Sequence, residues 1–100
     1  MPSVNPLPDL VLYTRAGCGV CDEAREAIRF VSDDRAARNL VMPALVEVDI
    51  DADRELHRAL FDRIPVVELG DRRVELVVTV GKLRRLLGEV VGDDPAPAAS

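Results

Sequence analysis

The chain has no tryptophan, one tyrosine and two phenylalanines, so aromatic residues fill only 3% of its 100 positions. Stacking platforms for single-stranded nucleic acid need more aromatic faces than that. A formal net charge of −5 points the same way, against a phosphate backbone as partner. No stretch approaches the roughly 18 continuous apolar residues of a membrane helix. The opening MPSVNPLPDL has no basic segment leading into an apolar run, so a secretory signal is not expected and the cytoplasm is the default location. There is no internal repeat and no second Cys-x-x-Cys, and His57 is the single histidine. Nothing near it resembles a Ser–His–Asp or Cys–His relay, and it reads as a surface or helix-packing residue. Asp49, Asp51 and Asp53 alternate, yet they lack the glycine and terminal glutamate of a calcium loop and read as caps.

What is present is a globular composition, 48% hydrophobic and 31% charged, enough for one domain with a modest core. Its scattered arginines, Arg72 and Arg73 among them, read as a solvated mixed surface. Residues 1–8 hold three prolines and are expected to be a flexible arm. Residues 93–100, DDPAPAAS, are expected to be a disordered tail. The folded part is then 9–92, with a monomer as the default.

Leu10-Val11-Leu12-Tyr13 is a continuous apolar run, which predicts a central strand buried on both faces. From Cys18 a helical spacing turns Cys21, Ala24, Ala27, Ile28 and Val31 to one side. Its end, within residues 32–42, carries no clear stop signal. Ala44–Ile50 predicts the second strand. Residues 52–61 predict a short helix burying Leu56, Ala59 and Leu60 or Phe61, capped by Asp51 or Asp53. Val66–Leu69 predicts a third strand, which Gly70-Asp71 turns into a fourth over Arg72–Val78, with Val74, Leu76 and Val78 alternating inward. A last helix over about 80–91, capped by Thr79, presents Leu83, Leu86, Leu87, Val90 and Val91. The order is βαβαββα, whose first βαβ is a parallel, right-handed crossover. A mixed four-stranded sheet with helices on both faces buries these stripes most simply.

Cys18-Gly19-Val20-Cys21 follows the first strand and the short loop Thr14–Gly17. In a reducing compartment a cysteine pair is more often catalytic or metal-binding than a structural staple, and at a strand-to-helix junction this spacing points to redox chemistry. Both sulfurs fall within one helical turn. Cys18 then sits beside the unpaired amides of that turn, whose partial positive charge favours thiolate and draws its pKa below the ordinary value of about 8.5. Arg15 adds to this if its side chain turns toward the sulfur. Cys21, deeper in the turn, suits the resolving role, breaking the mixed disulfide that Cys18 forms. Two alternatives stay open: an inert structural pair, or half of a zinc site, for which only His57 and scattered carboxylates remain. Pro65 lacks an amide proton and belongs at a strand start. Where it meets Cys18, the backbone of Ile64 can pair with an extended substrate, as in strand addition. No cofactor is called for.

The segments LYTRAGCGVC, EVDID and RIPVV resemble the glutaredoxin-like branch of the thioredoxin superfamily, over most of residues 10–91. The resemblance implies a thioredoxin-like α/β fold with sheet order 2-1-3-4 and an antiparallel fourth strand. It also implies a nucleophilic Cys18, a resolving Cys21 and a cis Pro65 facing them. Two features depart from classical glutaredoxins. Gly19-Val20 stands where they carry Pro-Tyr, and Val78–Lys82 replaces a Gly-Gly turn followed by Asp that grips glutathione. The partner is therefore a protein disulfide or a low-molecular-weight thiol, glutathione or mycothiol, on the leading reading. A non-catalytic interaction module or a redox sensor on the same scaffold is the alternative.

Overall fold

The computed structural model describes residues 7–93. The expected arm and tail lie outside the described residues, apart from Leu7, Pro8 and Asp93. Strand β1 (Leu10–Thr14) leads through a short loop into helix α1 (Gly19–Ala37) and strand β2 (Leu45–Asp49). A single 3-10 turn (Ile50–Ala52) precedes α2 (Arg54–Leu60), then β3 (Val66–Leu69), β4 (Arg72–Glu75) and α3 (Val80–Val90) close the chain. The sheet order is β2-β1-β3-β4. β1 is parallel to β2 and antiparallel to β3, and β3 is antiparallel to β4. The βαβαββα order and the 2-1-3-4 sheet with flanking helices are those expected.

Local chemistry explains most of the boundaries. Asp53 caps α2 by accepting the amides of Glu55 and Leu56, and Thr79 caps α3 by accepting that of Lys82. Asp49 caps the 3-10 turn through the Asp51 amide. Helix α1 ends in a Schellman motif. Asn39 takes a left-handed φ of 57°, its amide bonds the Ala36 carbonyl at 3.0 Å, and the Leu40 amide bonds the Arg35 carbonyl at 2.8 Å. Asparagine tolerates that conformation, so the stop signal missing from the sequence reading was Asn39. Gly70 turns the hairpin at φ 62°.

One face of the sheet carries most of the core. Leu10, Leu12, Val67 and Leu69 pack there with Ala24, Ile28 and Val31 of α1 and Leu83, Leu86 and Leu87 of α3. The opposite face holds a smaller cluster, Ile50, Leu60 and Val66, backed by Tyr13, Leu56 and Ile64. The expectation that β1 is buried on both faces is therefore corrected: Val11 and Tyr13 are half-buried, because α2 spans only 7 residues and covers one end of that face. In α2 only Leu60 is fully buried, while Ala59 and Phe61 are exposed.

The fourth strand is also shorter than expected. It stops at Glu75, and Leu76 turns out to solvent at φ 70°, with its amide shared between the carbonyls of Arg63 and Pro65. That turn breaks the alternation, so Leu76 is exposed while Val78 still reaches the core. Arg35, read as a surface charge, is 4% exposed. Its guanidinium closes the end of α1 against the chain after α3, bonding the carbonyls of Val41 and Gly92 and the Asp93 carboxylate. Among the described residues no helix is long and apolar enough to cross a membrane.

Candidate active site

Cys18 is the N-cap of α1, where its sulfur accepts the Cys21 amide at 3.1 Å. The two cysteines form a disulfide, with Cα atoms 5.2 Å apart, inside the ordinary range for such bonds. Their surroundings differ sharply. Cys18 is half-buried at the helix end, whereas Cys21 is 0% exposed. Gly17, at φ 77°, supplies the turn that brings the chain from β1 into this cap. The 19-residue helix directs the positive end of its dipole at the pair. Asp22 in the first turn opposes that field, but Arg25 pairs with it at 2.7 Å. The same guanidinium grips Glu47 on β2 at 2.6 and 3.0 Å, holding that carboxyl below its usual range.

The strand register gathers the other candidates at this end of the sheet. Tyr13 lies opposite Val66 and Thr14 opposite Asp49, so the loop carrying Arg15 and Cys18 leaves the sheet where β3 begins and β2 ends. Pro65 immediately precedes β3, and the Ile64–Pro65 bond is cis. The Ile64 amide is already committed to the Leu60 carbonyl at 3.1 Å. Among the described residues its carbonyl accepts no hydrogen bond, so the carbonyl is the group left for a substrate backbone. Arg15 places its Nε 3.3 Å from Asp51 Oδ2, which engages its charge beside the loop.

Asp51, expected from the sequence to be a cap, leaves the α2 cap to Asp53 and pairs with Arg15 instead. Besides Arg15 it approaches His57 Nε2 at 3.5 Å, and the His57 ring stacks on Phe61 with centroids 5.7 Å apart. Its position two residues past a strand aimed at this end was the available signal. Val20, between the cysteines, is exposed, as are Leu76 and Val77, which are tied to Pro65 through the Leu76 amide at 2.9 Å. Apolar surface is therefore exposed between the cysteines and next to Pro65. Among the described residues no group of three or more His, Cys, Asp or Glu is placed to hold a metal ion.

A cysteine pair capping the helix after the first strand, at the sheet end where a cis-proline opens β3, defines a thiol–disulfide site on a thioredoxin-type fold. The chain belongs to the glutaredoxin-like domain family (DUF836), whose family model matches residues 9–88. Among solved structures it is similar to protein XcR50 from X. campestris, at 30% identity and a TM-score of 0.66 over 80% of this chain and 96% of that one. Protein Ne2328 from Nitrosomonas europaea aligns at 26% identity and a TM-score of 0.55, covering 92% of this chain and 95% of that one. A malarial protein shares the fold at 17% identity and a TM-score of 0.63, over 87% and 99% of the two chains. No curated protein matches the chain.

Proposed function

We propose that the chain is a dithiol oxidoreductase in which Cys18 attacks and Cys21 resolves. The Cys18 thiolate attacks one sulfur of a substrate disulfide, forming a mixed disulfide and expelling the other sulfur as a thiolate. The Cys21 thiolate then attacks the Cys18 sulfur, which releases the second substrate thiolate and leaves the Cys18–Cys21 disulfide. Two electrons pass from the protein dithiol to the substrate, and an external thiol reductant returns them. The observation that carries this order is the unequal exposure of the two sulfurs at one helix N-terminus: Cys18 is reachable and Cys21 is enclosed. In the reduced chain, the amide that reaches Cys18 Sγ favours its thiolate.

The substrate is a protein disulfide or a low-molecular-weight thiol disulfide, met in the reducing cytoplasm by a monomer. Its backbone pairs with the Ile64 carbonyl beside Pro65, and Arg15 faces it from the preceding loop. Exposed Val20, Leu76 and Val77 give it a dry border. The test is a pair of serine variants assayed for disulfide reduction and weighed by intact mass. Cys18→Ser should abolish reduction, and Cys21→Ser should accumulate a mixed disulfide with the substrate on Cys18. Equal loss in both variants, with no trapped adduct, would reject the division of roles.

A further inference from the structure

Edge strand β4 and helix α3 enclose an open groove of about 350 Å³, lined by Arg72, Arg73, Lys82 and Arg85 against Glu75 and Glu89. This excess of cations stands out in a chain of net charge −5. Both carboxylates are engaged: Glu89 takes Arg72 at 2.5 Å, and Glu75 takes Arg63 at 3.0 Å and Arg73 at 3.3 Å. Among the described residues Lys82 reaches only the Val77 carbonyl, at 3.0 Å. Among the described residues, neither Lys82 nor Arg85 has a carboxylate within ion-pair distance.

The groove opens at the end of the sheet that carries the disulfide, because Glu75 lies opposite Val66, the residue after Pro65. From Lys82 to Glu89 it then runs about 10 Å along α3. β4 ends the sheet, and its outer side is free for a further strand along Arg73, while the Glu75 carbonyl is already taken by the Val77 amide at 2.7 Å. A small thiol carries its carboxylates close to its sulfur, whereas a polypeptide covers that length with about three extended residues. We propose that the groove seats an acidic stretch of a polypeptide substrate, added alongside β4, with its carboxylates at Lys82 and Arg85. The substrate role rests on the oxidoreductase reading; binding in the groove does not.

The experiment therefore uses the oxidised, nitrogen-15-labelled chain, which binds without turning over. It is titrated with an extended octapeptide of alternating Glu and Ser, and with the same peptide carrying Gln for Glu. The Glu peptide should shift the amides of Arg72–Glu75 and Lys82–Glu89, bind more weakly in about 0.3 M salt, and lose about fivefold in affinity to the Lys82→Gln/Arg85→Gln variant. Equal binding of the Gln peptide, shifts confined to another surface, or an unchanged affinity in the double variant would overturn the proposal. So would oxidised glutathione shifting the same amides at the same affinity, since the occupant would then be a small acidic thiol. A chain that binds the Glu peptide in the groove but reduces no disulfide would keep the groove and remove the catalytic reading instead.

Discussion

The two faces of the sheet are built to different standards. On one, α1 and α3 lie over Leu10, Leu12, Val67 and Leu69, and the side chains interlock in a single closed cluster. On the other, three buried residues sit under a short helix, and beyond its reach the surface is finished with charge. There the Tyr13 hydroxyl donates to Glu68 at 3.0 Å, Arg73 pairs with Glu68 and Glu75, and Arg63 completes the row on Glu75. The well-packed face holds the helix that carries the cysteines. The thin face brings Asp51, His57 and Ile64 to the same end of the sheet. The thiol–disulfide site thus lies at the seam between a thick layer and a light one.

Truncation should expose this difference most strongly. Leu87→Ala, in the larger cluster, is expected to cost about 4 kcal/mol, and Leu60→Ala, in the smaller, about 2 kcal/mol, because the lighter layer can settle into the space left behind. Urea melts of the two variants would measure this, and equal losses would erase the distinction. Removing the α2 cap with Asp53→Ala should cost about 1 kcal/mol. The same variant should speed amide exchange in α2 while leaving α1 and α3 protected.

The smallest effect concerns the polar finish. Burial first, and then the bond to Glu68, push the Tyr13 hydroxyl above its ordinary value of 10.0. The folded chain therefore favours the neutral phenol. Its contribution to stability is complete below pH 10 and is lost as the pH rises through the raised folded value. Tyr13 is the only tyrosine and there is no tryptophan, so phenolate absorbance reads it without interference. The midpoint should lie above 10 and move part of the way back in Glu68→Gln, since burial remains. A midpoint at the ordinary value would mean that this face is open to water.

Elements whose signals are local were legible before the fold. The start of α1 at Cys18, the Thr79 cap, the β3–β4 turn at Gly70 and the apolar stripe of α3 each depend on residues within a few positions of one another. Where the reading failed, distant partners decided. Leu76 looked like the next inward residue of a strand, but its amide is taken by Arg63 and Pro65, from a segment more than ten positions away. Arg35 looked like another surface cation, but the carbonyls of Val41 and Gly92 enclose it. Val11 and Tyr13 read as fully buried because an apolar run carries no record of how much helix will cover each side.

Periodicity, caps and turns act over a few residues, and they suffice for the βαβαββα order and for the cysteine pair at a strand-to-helix junction. Folding alone set how completely Cys21 is enclosed, paired Asp51 with Arg15, and placed Lys82 and Arg85 along a groove between β4 and α3. Each of those facts depends on residues far apart in the chain, brought together by strand register and by burial of the core.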